Sequence, residues 1–356
     1  MPKNIVILSD GTSQTLDQDE PTNVAKMFKY IQKDPTKQVA SYDPGLGTGL
    51  FGFFGKAFGI GISRNIQESY KFLVKQYEMG DQIYLFGYSR GAYTVRSLSG
   101  FTNMFGILAE PQDDLIEEAY NIYQKGVNPR TEIDRTLQER RENAEAFRKR
   151  HAASPCKITF IGVWDTVGAL GFPYRPVGVL LDQLPLFRYT FHDTTISSNV
   201  RSGYHALSID DERRTFLPTL WDEMTERELQ QKPHVEQAWF VGSHGDVGGG
   251  NEKPGRPSLS DISLEWMINR AKDHGLLLEP DYQTKLNPNA MATLHNSREG
   301  IARLYTRASR KESEGLDRLN FLNVHQSVFE RRRTDQNYRP WIFDEDDTLP
   351  PVQEIA

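Results

Sequence analysis

Apolar residues recur along this chain in two rhythms. Short, largely apolar runs, Ile5-Val6-Ile7-Leu8, Ile83-Tyr84-Leu85-Phe86 and Ile158-Thr159-Phe160-Ile161-Gly162-Val163, suit strands buried on both faces. Val39-Ala40-Ser41-Tyr42 and Val235-Glu236-Gln237-Ala238-Trp239-Phe240-Val241-Gly242 add two more, the latter being the last strand the pattern predicts. Between them the spacing turns helical. Thr22-Asn23 offers caps ahead of Val24, Met27, Phe28 and Ile31. Ile66, Tyr70, Leu73, Val74 and Tyr77 predict a helix over 65–78, and Ser260-Asp261 caps one carrying Ile262, Leu264, Trp266, Met267 and Ala271. Residues 198–208 also read as helical, and a short helix is expected at 177–183 within a proline-rich excursion. The alternation calls for an α/β fold: a mostly parallel sheet with right-handed crossovers, flanked by helices, with sites at the carboxyl ends of the strands.

Two stretches depart from this rhythm. Residues 111–150 turn into charged helical sequence, a helical insertion that either caps a site or hangs on the outside. Beyond Asn287 the chain is polar and weakly periodic, so 281–356 is expected to be a C-terminal extension packed on the rest. Without a repeat or a long linker, 1–356 reads as one elaborated domain with helical insertions.

Composition narrows the class. With 38% hydrophobic residues among 356, the chain can bury a sizeable core. A net charge of -6 argues against a general nucleic-acid partner, and Arg331-Arg332-Arg333 reads as a solvated face. The lone Cys156 excludes an intrachain disulfide and fits folding in a reducing cytoplasm. A short apolar run without a cleavage site at the N-terminus predicts a protein that stays off the general export pathway and is cytoplasmic when made. No run reaches the length of a membrane-spanning helix.

The chemistry is expected where the run ending at Phe86 meets Gly87-Tyr88-Ser89-Arg90-Gly91-Ala92 and a helical pattern follows. Gly-x-Ser-x-Gly between strand and helix is a nucleophile elbow, which lifts a serine hydroxyl into the open. Serine is a weak nucleophile at neutral pH and needs an imidazole oriented by a carboxylate. Asp165 and His244 each follow a predicted strand, and Ser89, Asp165, His244 is the chain order this architecture uses. His205, placed in the predicted helix, is the rival base, and Asp246 the rival acid, read instead as shaping Gly248-Gly249-Gly250. For the oxyanion, the Arg90 amide is one expected donor and the Gly11 or Thr12 amide the other. Asp10 is awkward there, because a carboxylate repels an oxyanion unless it turns away and orders the loop. It is grouped with Gly45, Gly47 and Phe51 as lining the substrate; the Phe51-Gly52-Phe53-Phe54 run faces lipid or packs under the insertion. A competing reading gathers Asp10, Asp165, His244 and Asp246 round a divalent metal for phosphoester hydrolysis, although none has diagnostic spacing. A catalytically silent binding or delivery module is the third reading.

Taken together, Ser9-Asp10-Gly11-Thr12, Tyr42-Asp43-Pro44-Gly45-Leu46-Gly47-Thr48, the Ser89 elbow, Val163-Trp164-Asp165-Thr166-Val167-Gly168, His205 to Arg213, Trp239 to Gly250 and Leu259-Ser260-Asp261-Ile262 carry a wider likeness. In that order they resemble the α/β-hydrolase domain of type VI secretion phospholipase effectors and related uncharacterised bacterial and fungal proteins. The resemblance implies a serine esterase or lipase of phospholipase A type. It implies Ser89, Asp165 and His244 at the catalytic positions and an acyl-enzyme route without cofactor or metal. It further implies a lipid or small ester substrate, transient contact with a membrane surface, a secretion-apparatus or immunity partner, and delivery outside the cell without a signal peptide.

Overall fold

Among the described residues eight strands, β1 (Asn4–Ser9), β2 (Gln38–Asp43), β3 (Gln82–Tyr88), β4 (Ile158–Trp164), β5 (Ser202–Ser208), β6 (His234–Phe240), β7 (Leu322–His325) and β8 (Val352–Ile355), form one sheet. Its order is β2-β1-β3-β4-β5-β6-β7-β8, and every neighbouring pair is parallel. The computed structural model describes residues 2–11, 14–45, 56–124, 133–167, 196–222, 234–313, 315–343 and 349–356. Thr12, Gly47, Phe51 and the helix expected at 177–183 lie outside them.

The period of two along each strand divides the core. Val6, Leu8, Tyr84, Phe86 and Phe160 face the helices Asn23–Tyr30 and Ser260–Asp273. Ile5, Ile7, Ile83, Leu85 and Ile161 face the other way, toward the helices Lys56–Gln76 and Arg90–Phe105. Both faces are covered, which is why the strands read as continuous apolar runs. The helices Asp113–Gln124 and Ile133–Arg150 pack over Arg90–Phe105: Phe147 meets Phe105 edge-on at 5.5 Å, and Tyr123 meets Phe101 at 5.4 Å.

Two expectations need correction. Residues 202–208 are a strand, not part of a helix; every position is buried between β4 and β6. A short apolar stretch covered on both sides carries no period that separates the two states, and burial decided for the strand. The sheet also continues beyond β6, through two four-residue strands in the stretch read as polar and weakly periodic. Segments so short hold too few positions to show alternation, and β8 is the exposed edge.

Register positions the site. The order in which strands are added across the sheet reverses between β1 and β3, because β2 lies on one side of β1 and β3 on the other. Ser9 sits opposite Gly87, Tyr88 opposite Trp164, Trp164 opposite Ala206, and Ser208 opposite Phe240. The segments opening with Asp10, Ser89, Asp165, Ile209 and Val241 therefore leave along one edge, where crevices form in open parallel sheets.

Candidate active site

Ser89 stands between β3 and the helix Arg90–Phe105 with φ 55° and ψ −116°. Such a backbone is strained for any residue with a Cβ and marks the sharp strand-to-helix turn. Two glycines make the turn possible. A Cβ on Gly91 would sit 1.9 Å from the Ser9 carbonyl oxygen, and one on Gly87 would sit 2.5 Å from that of Gly91. The Ser89 amide donates to the Trp164 carbonyl at 3.0 Å, fastening the turn to β4. The Arg90 amide occupies the first position of the helix, where N–H groups point out of the N-terminus.

Asp165 has a strained φ of 37° and a wholly buried side chain. Its Oδ2 lies 2.6 Å from His244 Nδ1. The Ser208 amide donates to Oδ1 at 3.0 Å and the Ser208 hydroxyl to Oδ2 at 2.9 Å, while Arg310 Nη2 donates to Oδ2 at 3.2 Å. Burial pushes this carboxyl up, but the Arg310 guanidinium, His244 and the Ser208 amide outweigh it and hold the group well below the usual carboxylate range. Because the carboxylate is ionised, His244 Nδ1 is the donor, and in the neutral imidazole Nε2 is then the acceptor.

The imidazole is buried between aromatic walls. Tyr88 lies against it with ring centroids 4.7 Å apart, and Phe216 meets it edge-on at 5.0 Å. Tyr88, adjacent to Ser89 in the chain, donates from its hydroxyl to the His244 carbonyl at 3.1 Å. A Cβ on Gly248 would lie 1.9 Å from the Tyr88 ring, so a glycine at 248 lets this ring in. The His244 amide donates to Asp211 at 3.2 Å; Asp211 also takes Arg213, through Nη2 at 2.6 Å. The elbow and the Asp165–His244 pair thus meet through Tyr88.

The remaining expected residues divide. The Asp10 carboxylate is buried and accepts from Gly11 N at 2.7 Å, Thr22 Oγ1 at 2.6 Å and Tyr42 OH at 2.7 Å. Burial lifts it to about 6 against those three hydrogen bonds. The Gly11 amide donates to Asp10 in this structure, and Thr12 lies outside the described residues. Gly45, half-buried, follows β2, whose Asp43 carbonyl accepts from the Asp10 amide at 3.0 Å. His205 is a core residue: Thr166 N donates to its Nε2 at 3.1 Å, and burial pulls it down to about 3, so it stays neutral. Asp246 braces its own turn, accepting from Ser243 N at 3.0 Å, Asn251 Nδ2 at 2.8 Å and His295 Nδ1 at 2.6 Å. Asp10 and Asp246 therefore have partners of their own, apart from the Asp165–His244 pair, and no group of three or more His, Cys, Asp or Glu among the described residues is arranged to hold a metal ion.

Sequence reasoning missed Arg310, Ser208 and Phe216. Ser208 ends a strand and could have been sought there; Arg310, 145 positions from Asp165, gave no local signal.

A parallel sheet with a strained serine after its third strand and an Asp–His pair on later strand ends defines an α/β-hydrolase. The chain belongs to the family described as T6SS phospholipase effector Tle1-like, catalytic domain, whose model matches residues 3–270. An uncharacterized protein of Saccharomyces cerevisiae is 30% identical over 235 residues, which is 60% of this chain and 32% of that protein. A crystal structure of an uncharacterized protein from Pseudomonas aeruginosa shares the fold with a TM-score of 0.51 and 17% identity, over 81% of this chain and 49% of that one. The chain spans a minor part of either relative. Among the described residues no helix is long and apolar enough to cross a membrane.

Proposed function

We propose that this chain hydrolyses carboxylic esters of lipids, phospholipids foremost, through Ser89, His244 and Asp165. The observation that carries the reading is the 2.6 Å Asp165–His244 bond beside a serine held on a strained elbow. Ser89 Oγ attacks the ester carbonyl while its proton passes to His244 Nε2. The oxyanion rests on the Arg90 amide, with the loop after β1 as the source of a second donor. Collapse expels the alcohol, which takes the proton from Nε2, and leaves an acyl-Ser89. Water then repeats the cycle, giving up a proton to Nε2 and releasing the fatty acid with Ser89 restored. Asp165 stays ionised throughout and steadies the imidazolium.

Membership of a phospholipase effector family supports lipid as the substrate class. On the same ground we propose a cognate immunity protein as partner and delivery to a target outside the producing cell. Within the chain we propose one domain, with 111–150 inserted and 281–356 packed back on the sheet.

A fluorophosphonate probe tests the reading. Wild-type protein labels rapidly, Ser89→Ala and His244→Ala do not, and mass spectrometry of treated phospholipid finds free fatty acid and lysolipid. An unlabelled wild-type protein that is inert on a panel of lipids and short esters would sink it.

A further inference from the structure

The cation beside Asp165 is difficult to explain as a stabilising device. Arg310, on the short helical turn Arg310–Glu312, is 1% exposed, and its Nε has no hydrogen-bond partner among the described residues. Burying a guanidinium is costly, and replacing a buried ion pair with apolar side chains is often neutral or stabilising. What the arrangement supplies is geometry. Arg310 Nη2 donates to both Asp165 Oδ2 and Ser208 Oγ, and Nη1 donates to the Phe216 carbonyl. Ser208 in turn donates its hydroxyl to Asp165 Oδ2 at 2.9 Å, and the Phe216 ring closes on His244. One planar fork therefore fixes the acid that orients the imidazole and the aromatic wall that confines it.

We infer that Arg310 is a positioning residue of the ester-cleaving site, locking Asp165, Ser208 and Phe216 into one cradle for the His244 imidazole; this rests on the proposed function. Among the described residues, the charged or titratable groups about the pair include Asp211, Arg213 and Tyr88, with neutral His205 behind Asp165 and the Arg96 cation, which donates to the Thr219 carbonyl, beyond His205. Arg213 is held by Asp211, so neither offers Asp165 a replacement cation. Loss of Arg310 leaves Asp165 facing His244 alone, which favours the protonated pair and loosens the ring.

The experiment compares Arg310→Met, Arg310→Lys and Ser208→Ala with wild type in three ways: probe labelling, the pH profile of short-ester hydrolysis, and the low-field NMR proton of His244 Nδ1–H, identified by its absence in His244→Ala. Arg310→Met is expected to lower kcat about 100-fold and to move the acidic limb of kcat/KM about one unit higher. It should also lose or shift the low-field proton. Arg310→Lys, keeping the charge, should restore the limb and most of the rate. A rate loss without movement of limb or proton, a lysine variant as impaired as methionine, or a methionine variant within about twofold of wild type overturns the inference. Should Arg310→Met not fold, Ser208→Ala decides: it removes the shared hydroxyl and is expected to cost about tenfold in kcat, and an unchanged rate overturns the inference. If wild type does not label while the low-field proton still follows residue 310, the proposed function falls and the positioning of His244 by Arg310 stands.

Discussion

His295 Nδ1 lies 2.6 Å from Asp246 Oδ1, which ties the segment beyond Asn287 to the loop that presents His244. The contact also explains Asp246, whose other oxygen accepts from the Ser243 amide and hydroxyl at 3.0 and 2.9 Å. The acid nearest His244 in sequence is thus occupied in bracing the loop, and the acid that meets the imidazole comes from 79 positions away. His295→Ala is expected to lower unfolding free energy by about 1–3 kcal/mol, the range for leaving a buried acceptor without one of its donors. Ester hydrolysis should fall by less than tenfold, far short of the loss on removing Ser89. Urea unfolding alongside short-ester kinetics checks both, and unchanged stability would show the brace to be idle.

The strain at Ser89 is open to a direct measurement. At φ 55° and ψ −116°, a residue with a Cβ is held against its preference. Both Ser89→Ala and Ser89→Gly delete the hydroxyl, but only glycine also removes the Cβ that makes this backbone costly. We expect Ser89→Gly to be more stable than Ser89→Ala by about 1 kcal/mol, since the relieved strain outweighs the added freedom of the unfolded chain. Parallel urea titrations decide, and alanine proving the more stable would mean that the turn relaxes in solution.

Gly248→Ala tests the route by which the elbow and the imidazole meet. The added methyl would fall 1.9 Å from the Tyr88 ring, and that ring lies 4.7 Å from the His244 ring. Tyr88 is buried and cannot swing outward, so it must shift toward its partners or the loop must lift. Overpacking of this kind costs about 1–3 kcal/mol. A displacement near 1 Å at the reacting groups costs about 100-fold in rate. Stability and kcat measured together check this; full activity would show that Tyr88 has no part in placing His244.

How much could be foreseen follows from the range over which each residue acts. The elbow was legible because strand, Gly87, Ser89 and Gly91 lie together in the chain and one steric requirement governs all of them. Asp165 and His244 were legible because each directly follows a strong strand, and parallel strands bring such positions to one edge. Arg310 was not, since a buried arginine in a polar stretch looks like any surface arginine until the fold places it against Asp165. The bonds to Asp10 were illegible for a related reason: Thr22 and Tyr42, which donate to its carboxylate, come from separate elements. Residues 202–208 misled because Tyr204, Ala206 and Leu207 are apolar on both faces, which erases the alternation that signals a strand.

Asp210 gives the fold a pH dependence whose sign can be worked out. Its Oδ2 accepts from the Gly242 amide at 2.7 Å and from the Tyr338 hydroxyl at 2.8 Å. Burial raises the carboxyl from 3.8 to about 6, against these bonds and with further help from the charge of Asp246. A carboxyl raised in the folded state favours folding fully below its ordinary value, and that contribution is lost as pH climbs through about 6. Asp210→Asn keeps an oxygen for both donors and never ionises. The variant should therefore gain on wild type between pH 4 and 7 and hold a constant advantage above. A shift of this size corresponds to about 3 kcal/mol at most, and the partial solvent access of the side chain reduces the expectation to about 1–2 kcal/mol. Asp10 and Asp43, also raised to about 6, titrate in the same window but are present in both proteins and cancel in the difference. Urea unfolding at pH 4.5 and at pH 8 measures it. An equal gap at the two pH values would mean that Asp210 is already ionised in the acid, with the Gly242 and Tyr338 hydrogen bonds outweighing burial.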